Sequence, residues 1–178
     1  KSFRDGRSIY MGGMANHSDF QVQDLTNGSL SPKRNAHGFS STVFANEAVN
    51  FIQKSETDLP FFLYVAFMAP HDPRNPPEQY RQMYYKKRPP LPANFLPQHP
   101  FQNAPQATSG RDESLAPWPR TKKVISDQLC EYYGLVTHLD EQVGRVLKAL
   151  KKSPHADNTI VIYTADHGLA MGSHGLLG

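Results

Sequence analysis

A single cysteine, Cys130, stands in 178 residues, so neither an internal disulfide nor a cysteine-built zinc site can form within the chain. That leaves the compartment undecided. No apolar run reaches the roughly 18 residues that a membrane-crossing helix requires. The first residues, Lys1-Ser2-Phe3-Arg4, hold no signal-peptide hydrophobic region, and there is no initiator methionine. Charge of one sign is also missing: 19 basic against 16 acidic residues give +3, too slight for a nucleic-acid-binding face. The densest basic run, Tyr85-Lys86-Lys87-Arg88, reads as a solvated loop, with contact to an anionic polymer such as the substrate as the alternative. No internal repeat occurs. What is present, 38% hydrophobic, 11% aromatic and 20% charged residues, belongs to an ordinary globular chain that can form a core.

From Lys1 to about Asn35, glycines at 6, 12, 13 and 28 and scarce apolar runs predict loop with short extended pieces. Ser40 or Ser41 can then cap a helix whose apolar residues Phe44, Ala48, Phe51 and Ile52 share one face and which ends near Ser55. Pro60 precedes the apolar run Phe61-Phe62-Leu63-Tyr64-Val65-Ala66-Phe67-Met68, closed by Pro70. Too short for a globular helix and rich in aromatics, it suits a central parallel strand buried on both faces. Thr159-Ile160-Val161-Ile162-Tyr163-Thr164-Ala165, β-branched through its middle, is a second such strand. Twelve of the fifteen prolines lie from Pro70 to Pro119, so residues 70–120 form an ordered surface excursion without long helices or a central strand. Beyond it Leu129, Tyr132, Val136, Leu139, Val143, Val146 and Leu150 alternate spacings of 3 and 4, which predicts a long amphipathic helix from about Thr121 or Ser126 to Lys151.

Helix, strand, excursion, helix and strand is the order of an α/β fold with a mainly parallel sheet flanked by helices. Two strands do not make such a sheet, so its other strands are expected from sequence outside these residues. In open parallel sheets, reactive groups collect at the carboxyl ends of strands. The first run leads into Ala69-Pro70-His71-Asp72-Pro73-Arg74, where prolines stiffen a turn that presents His71. The second leads into Asp166-His167-Gly168. Leaving the strand breaks the alternation of side chains, so Asp166 and His167 can both reach one cation, and Gly168 lets the backbone bend sharply. Carboxylate oxygen suits calcium or magnesium and imidazole is commoner on zinc, so donor type leaves the metal open. Alone, the tripeptide reads first as a turn with a helix-capping aspartate and only second as a metal site, and His71 as a surface or packing residue. His174, in Gly172-Ser173-His174-Gly175, falls in a predicted loop, and His17, His37, His99, His138 and His155 read as ordinary histidines.

Together these segments resemble the sulfatase family of the alkaline phosphatase superfamily over most of the chain. The likeness is carried by Phe61 to Arg74 with its Pro-His-x-Pro. Glu131-Tyr132-Tyr133 through His138-Leu139-Asp140-Glu141-Gln142-Val143-Gly144-Arg145 adds to it, as does Asp157-Asn158-Thr159-Ile160 through Asp166-His167-Gly168 to Gly172-Ser173-His174-Gly175-Leu176-Leu177-Gly178. Arg111-Asp112-Glu113-Ser114-Leu115-Ala116-Pro117-Trp118-Pro119-Arg120 looks like bacterial relatives of the iduronate and choline sulfatases. The resemblance implies an alkaline-phosphatase-like fold of which residues 1–178 are the central portion of one catalytic domain. It implies a formylglycine hydrate attacking sulfur while one divalent cation, calcium first and magnesium second, polarises the sulfate. Asp166 and His167 would be metal ligands, with His167 where many relatives carry Asn. His71 would contact the sulfate or protonate the leaving oxygen, and His174 and Arg74 would face the substrate.

The departures are specific. Formylglycine arises from the first residue of Cys-x-Pro-x-Arg, or from Ser in some members, whereas Cys130 is followed by Glu131-Tyr132-Tyr133-Gly134. The nearest match, Leu30-Ser31-Pro32-Lys33-Arg34, has leucine at the reactive position. No nucleophile is therefore expected in this chain, and the family's paired aspartates and the lysine after Gly178 are absent too. The N-terminal nucleophile segment and the C-terminal part are expected elsewhere, and these residues alone are expected not to turn over substrate. The substrate implied is a sulfate ester, a sulfated carbohydrate first and a small ester such as choline sulfate second, with the proline-rich excursion shaping its pocket, no nucleic acid and no membrane span. The compartment stays open among periplasmic, secreted and lysosomal. Two rivals remain: a phosphodiesterase or phosphatase of the same superfamily, and a non-catalytic module that binds sulfated glycans.

Overall fold

Asn27 and Gly28 both take positive φ, 50° and 78°. A two-residue type I′ turn needs this pair, and Asn-Gly supplies it at the least steric cost. The turn joins β2 (Gln21–Thr26) to β3 (Ser29–Leu30), and β1 (Gly6–Ile9) and β4 (Arg34–Asn35) also pair with β2. All three pairings are antiparallel. The short extended pieces expected among loop in this stretch are thus paired, as a four-stranded sheet centred on β2. The computed structural model describes residues 3–55, 59–101 and 110–178. They divide into two units, Lys1–Pro77 with Leu135–Ile160, and Glu78–Gly134 with Val161–Gly178.

In the first unit the sheet is covered by α1 (Ser40–Lys54). Phe20, Val22 and Ala36 pack against Val43 and Phe44 of α1, with Phe67 and Met68 alongside. Phe67 also joins a second cluster with Ala69, Leu135 and Leu139. Burying side chains of this size stabilises by about 1.5–3 kcal/mol each, so the end of the 61–68 run is anchored from two directions. Neither serine caps α1 as expected. Phe39 holds the N-cap position without a side-chain bond, and Ser40 and Ser41 are both buried. Phe51, expected on the buried face, turns outward and meets Phe61 edge-on with ring centroids 5.5 Å apart.

The two apolar runs differ from the expectation of strands buried on both faces. Among the described residues neither is paired in a sheet, and no parallel pairing occurs. Burial alternates along 61–66, the period of an extended chain with one face covered. Phe62 is 77% exposed on the other face, where it and Tyr64 stack with Phe3. Ile160 and Ile162 are exposed at 90% and 83%. These segments have the composition of central strands, and the described residues supply no neighbour for them.

The long helix, α3 (Lys122–Lys151), runs for 30 residues as its 3-and-4 repeat predicts. Thr121 caps it, its hydroxyl oxygen accepting the Val124 N–H at 3.2 Å. Lys148 and Lys151 lie in the last turn, where the helix dipole favours cations.

In the second unit Pro77 and Pro89 confine a short helix, α2 (Glu78–Lys86). Arg81 and the Tyr85 hydroxyl both donate to Glu131 of α3, at 2.7 and 2.8 Å. Arg88 reaches Asp127 at 2.7 Å, so the basic run ends a helix and is partly ion-paired rather than being solvated loop. Lys123, ahead of Arg88, holds the Asp127 carboxyl below the usual carboxylate range.

The centre of this unit is ionic. Arg120 donates to the Glu113 carboxylate at 2.6 Å and to the Glu113 carbonyl at 2.8 Å, and its guanidinium lies 3.8 Å from the Trp118 ring. The two side chains are 0% and 7% exposed. The same carboxylate accepts the Leu177 N–H at 3.0 Å and the Gly178 N–H at 2.9 Å. Ile125, Leu129, Met171 and Leu177 form the apolar core of the unit. No helix among the described residues is long and apolar enough to cross a membrane.

Candidate active site

His71 stands in a turn between two prolines, with cis peptides at Ala69-Pro70 and Asp72-Pro73. Its N–H donates to the Met68 carbonyl at 3.0 Å. Its Nδ1 lies 2.9 Å from the Asp72 carbonyl and 3.1 Å from Asp72 Oδ1, both acceptors, so Nδ1 carries the hydrogen. Proton exchange at this ring therefore falls to Nε2. Arg74 is half-buried three residues on, in the same unit.

His17, taken as an ordinary histidine, lies fully buried beneath this turn. Its Nε2 is 2.9 Å from the His71 carbonyl and its Nδ1 2.7 Å from Ser40 Oγ. A carbonyl can only accept, so Nε2 is protonated and Nδ1 takes the Ser40 hydroxyl hydrogen. Phe39 stacks on this ring at 5.2 Å and meets His138 edge-on at 4.7 Å. Burial, partly opposed by the bond to the His71 carbonyl, pushes the His17 imidazole below its usual range; burial does the same to His138.

That shift fixes a pH dependence. Below the unfolded-state value near 6.5, the unfolded chain takes up protons that the folded one refuses. Stability should therefore be full above that pH and fall as the pH drops toward the depressed folded-state values, by at most about 1.4 kcal/mol per pH unit for each histidine. Urea unfolding from about pH 7.5 to 5 measures it, and a His138→Gln variant should lose part of the slope. A profile that does not change between the two proteins would contradict the burial argument.

Asp166, His167 and His174 belong to the second unit. Asp166 Oδ1 accepts the His167 N–H at 2.9 Å, and His167 Nδ1 donates to the Gly168 carbonyl at 3.0 Å. Nε2 is then the unprotonated nitrogen, 3.7 Å from Asp166 Oδ2. Two donors at about 2.0–2.6 Å from one ion lie roughly 3–4.5 Å apart, so this pair fits a shared divalent cation. Both side chains are exposed, and no group of three His, Cys, Asp or Glu that could hold a metal occurs among the described residues. Two donors alone do not fill the coordination shell of a divalent cation.

His174 is held rather than presented. It sits at φ 53°, its Nε2 accepts from Asn94 Nδ2 at 3.0 Å, and its carbonyl accepts from His99 Nδ1 at 3.0 Å. Gly175, at φ 80°, leaves no room for a side chain: a Cβ there would lie 2.6 Å from the Gln98 carbonyl carbon. A cavity of about 400 Å³ in this unit is lined by Pro90, Leu91 and Pro92 of the excursion, by Leu129 and Tyr132, and by Leu169 and Met171 beyond His167.

The structure thus brings together Asp166 with His167, and His71 with Arg74 on one turn, and it ties His174 to Asn94 and His99 of the excursion. Sequence reasoning missed Asp72, although it adjoins His71, and it missed His17, Ser40, Glu113 and Arg120. His17, Ser40 and Glu113 have partners far along the chain, and the seven-residue spacing of Glu113 and Arg120 does not by itself mark an ion pair.

The family model described as Sulfatase matches residues 5–178. An arylsulfatase of Clostridium perfringens is 34% identical over 72% of this chain and 26% of its own length. Human iduronate 2-sulfatase is 28% identical over 86% of this chain and 28% of its own. The multifunctional alkaline phosphatase superfamily protein PehA of Trinickia caryophylli is 30% identical over 83% of this chain and 31% of its own. The chain therefore spans about a quarter to a third of these relatives. A Bacteroides fragilis structure assigned as the sulfatase yidJ superposes with a TM-score of 0.64 at 24% identity, over 91% of this chain and 32% of that one. A structure in complex with its substrate, D-glucosamine-2-N,6-O-disulfate, superposes with a TM-score of 0.65 at 19% identity, over 88% of this chain and 42% of that one. The fold shared with them is α/β.

Proposed function

Since the chain belongs to the sulfatase family, we propose that the full-length protein is a sulfuric ester hydrolase acting on a sulfated carbohydrate. The observation that carries this is the Asp166–His167 pair, with its carboxylate oxygen and imidazole nitrogen 3.7 Å apart inside the matched segment. The sugar assignment is supported by the structural relative solved with a disulfated glucosamine. In this reading the runs 61–68 and 159–165 are strands of a mainly parallel sheet completed by sequence beyond these residues, and the formylglycine nucleophile also lies beyond them.

A divalent cation, calcium or magnesium, would neutralise charge on the sulfate when bound. Asp166 and His167 are the residues that hold it. His71 carries a proton at Nε2 to the leaving oxygen while Asp72 keeps Nδ1 protonated and the ring oriented. Arg74 and His174 serve the substrate, His174 through the loop it pins, and the cavity beside Pro90 and Pro92 receives the sugar.

Asp166→Ala in the full-length protein should lower both bound metal and turnover, since it removes the charge that offsets the cation. His167→Asn should keep much of the metal and part of the rate, because an amide oxygen can replace the imidazole. Metal analysis and steady-state rates on an aryl sulfate read both, and full metal with full rate in Asp166→Ala would refute the assignment. The likeness to PehA favours a second reading, hydrolysis of phosphate esters. Rates on matched aryl sulfate and aryl phosphate esters decide between them.

A further inference from the structure

Burying an imidazole is costly unless both nitrogens find partners. His17 is fully buried and has both. Ser40, also fully buried, is bound to it twice: the Ser40 N–H donates to the His17 carbonyl at 2.8 Å, and the Ser40 hydroxyl to His17 Nδ1. These two bonds leave the ring one orientation, with Nε2–H aimed at the His71 carbonyl. The neighbouring residue adds a second tie, because Asn16 Oδ1 accepts from Asn75 Nδ2 at 3.1 Å. The turn that carries His71 is thus held from below at both ends by residues 16–17. The 61–68 run ahead of it lacks a paired strand, so this clamp fixes the main chain where sheet pairing among the described residues does not.

We infer that His17 is a positioning residue for His71, setting the placement of its imidazole through a hydrogen bond to its main-chain carbonyl, with Ser40 fixing the tautomer that makes the bond possible. The inference rests on the proposed role of His71 in the reaction. It assigns His17 no contact with substrate.

Two isosteric variants separate positioning from packing. His17→Gln can place an amide nitrogen near the Nε2 position and keep the bond to the His71 carbonyl. His17→Asn reaches only the Nδ1 position, keeping a partner for Ser40 and losing the carbonyl bond. In the full-length enzyme with an aryl sulfate, His17→Asn should lower kcat by roughly 10- to 100-fold, the range expected for a displacement near 1 Å. KM should stay within about twofold and bound metal should be unchanged, while His17→Gln recovers most of kcat. Equal kcat in the two variants, or kcat that simply tracks their melting temperatures, overturns the proposal. If His17→Asn does not fold, Ser40→Ala carries the test: it releases the tautomer, and unchanged kcat there overturns the proposal as well. His71→Ala serves as the reference. A full rate in that variant refutes the role of His71 itself, and with it any positioning by His17, whereas a lost rate in His71→Ala beside normal kcat in His17→Asn refutes only the inference about His17.

Discussion

Glu113→Ala should destabilise the full-length protein by about 3–5 kcal/mol, the cost of breaking a buried ion pair by removing one partner. The magnitude follows from what stays behind. Arg120 is fully buried, its Nε already has no hydrogen-bond partner, and without Glu113 its charge would face carbonyl oxygens and the Trp118 ring alone. The Leu177 and Gly178 N–H groups would lose their acceptor in the same change. Glu113→Gln should cost less, because its amide oxygen can still accept from those two groups. Lys123→Ala, which removes an exposed pair with Asp127, should cost under about 1 kcal/mol. Urea unfolding of the three variants gives the ordering. A Glu113→Ala protein as stable as Lys123→Ala would mean that the ion pair is not the centre of its unit.

His71→Ala should lower turnover by about 10²–10⁴-fold with bound metal unchanged, the range for loss of a general acid. Its geometry supports an effect of that size. Asp72 commits Nδ1 as a donor, so the ring enters the reaction with one tautomer and one nitrogen for proton exchange. Loss of a contact made only in the transition state lowers kcat and kcat/KM together, so steady-state rates paired with metal analysis distinguish this from lost binding. A rate within a few-fold of wild type would remove His71 from the mechanism. Loss of metal along with rate would recast it as a residue that supports the cation.

Helices were legible because their signals are local. The 3-and-4 repeat from Leu129 to Leu150 predicted α3, and Thr121 caps it as one of the two expected starts. Ser40 looked like a cap because serine usually is one, yet its hydroxyl is taken by His17, 23 residues earlier. Asn27-Gly28 was a legible hairpin signal that went unread, since the strands beside it are short and largely polar. Candidate site residues were legible where they adjoin, at Asp166-His167 and at Pro-His-x-Pro. Residues that depend on long-range closure were not legible, as with Glu113 meeting Leu177 64 residues on, or His17 meeting His71 54 residues on. Composition pointed to the runs 61–68 and 159–165 as central strands, which are unpaired among the described residues, because composition carries no information about which segments lie beside them.

Those two runs also set a schedule for synthesis. About ninety residues separate Met68 from Thr159. At the usual pace of translation, the first run is made roughly 5–20 s before the second. Even in the folded chain Phe62 and Tyr64 offer an aromatic face covered only in part, by Phe3. A nascent chain in that interval is a target for hydrophobic-segment chaperones, and slowing translation across the proline-rich residues 70–120 would lengthen the wait. Yield in a cell should therefore depend on chaperone supply and elongation rate more steeply than equilibrium stability alone would suggest.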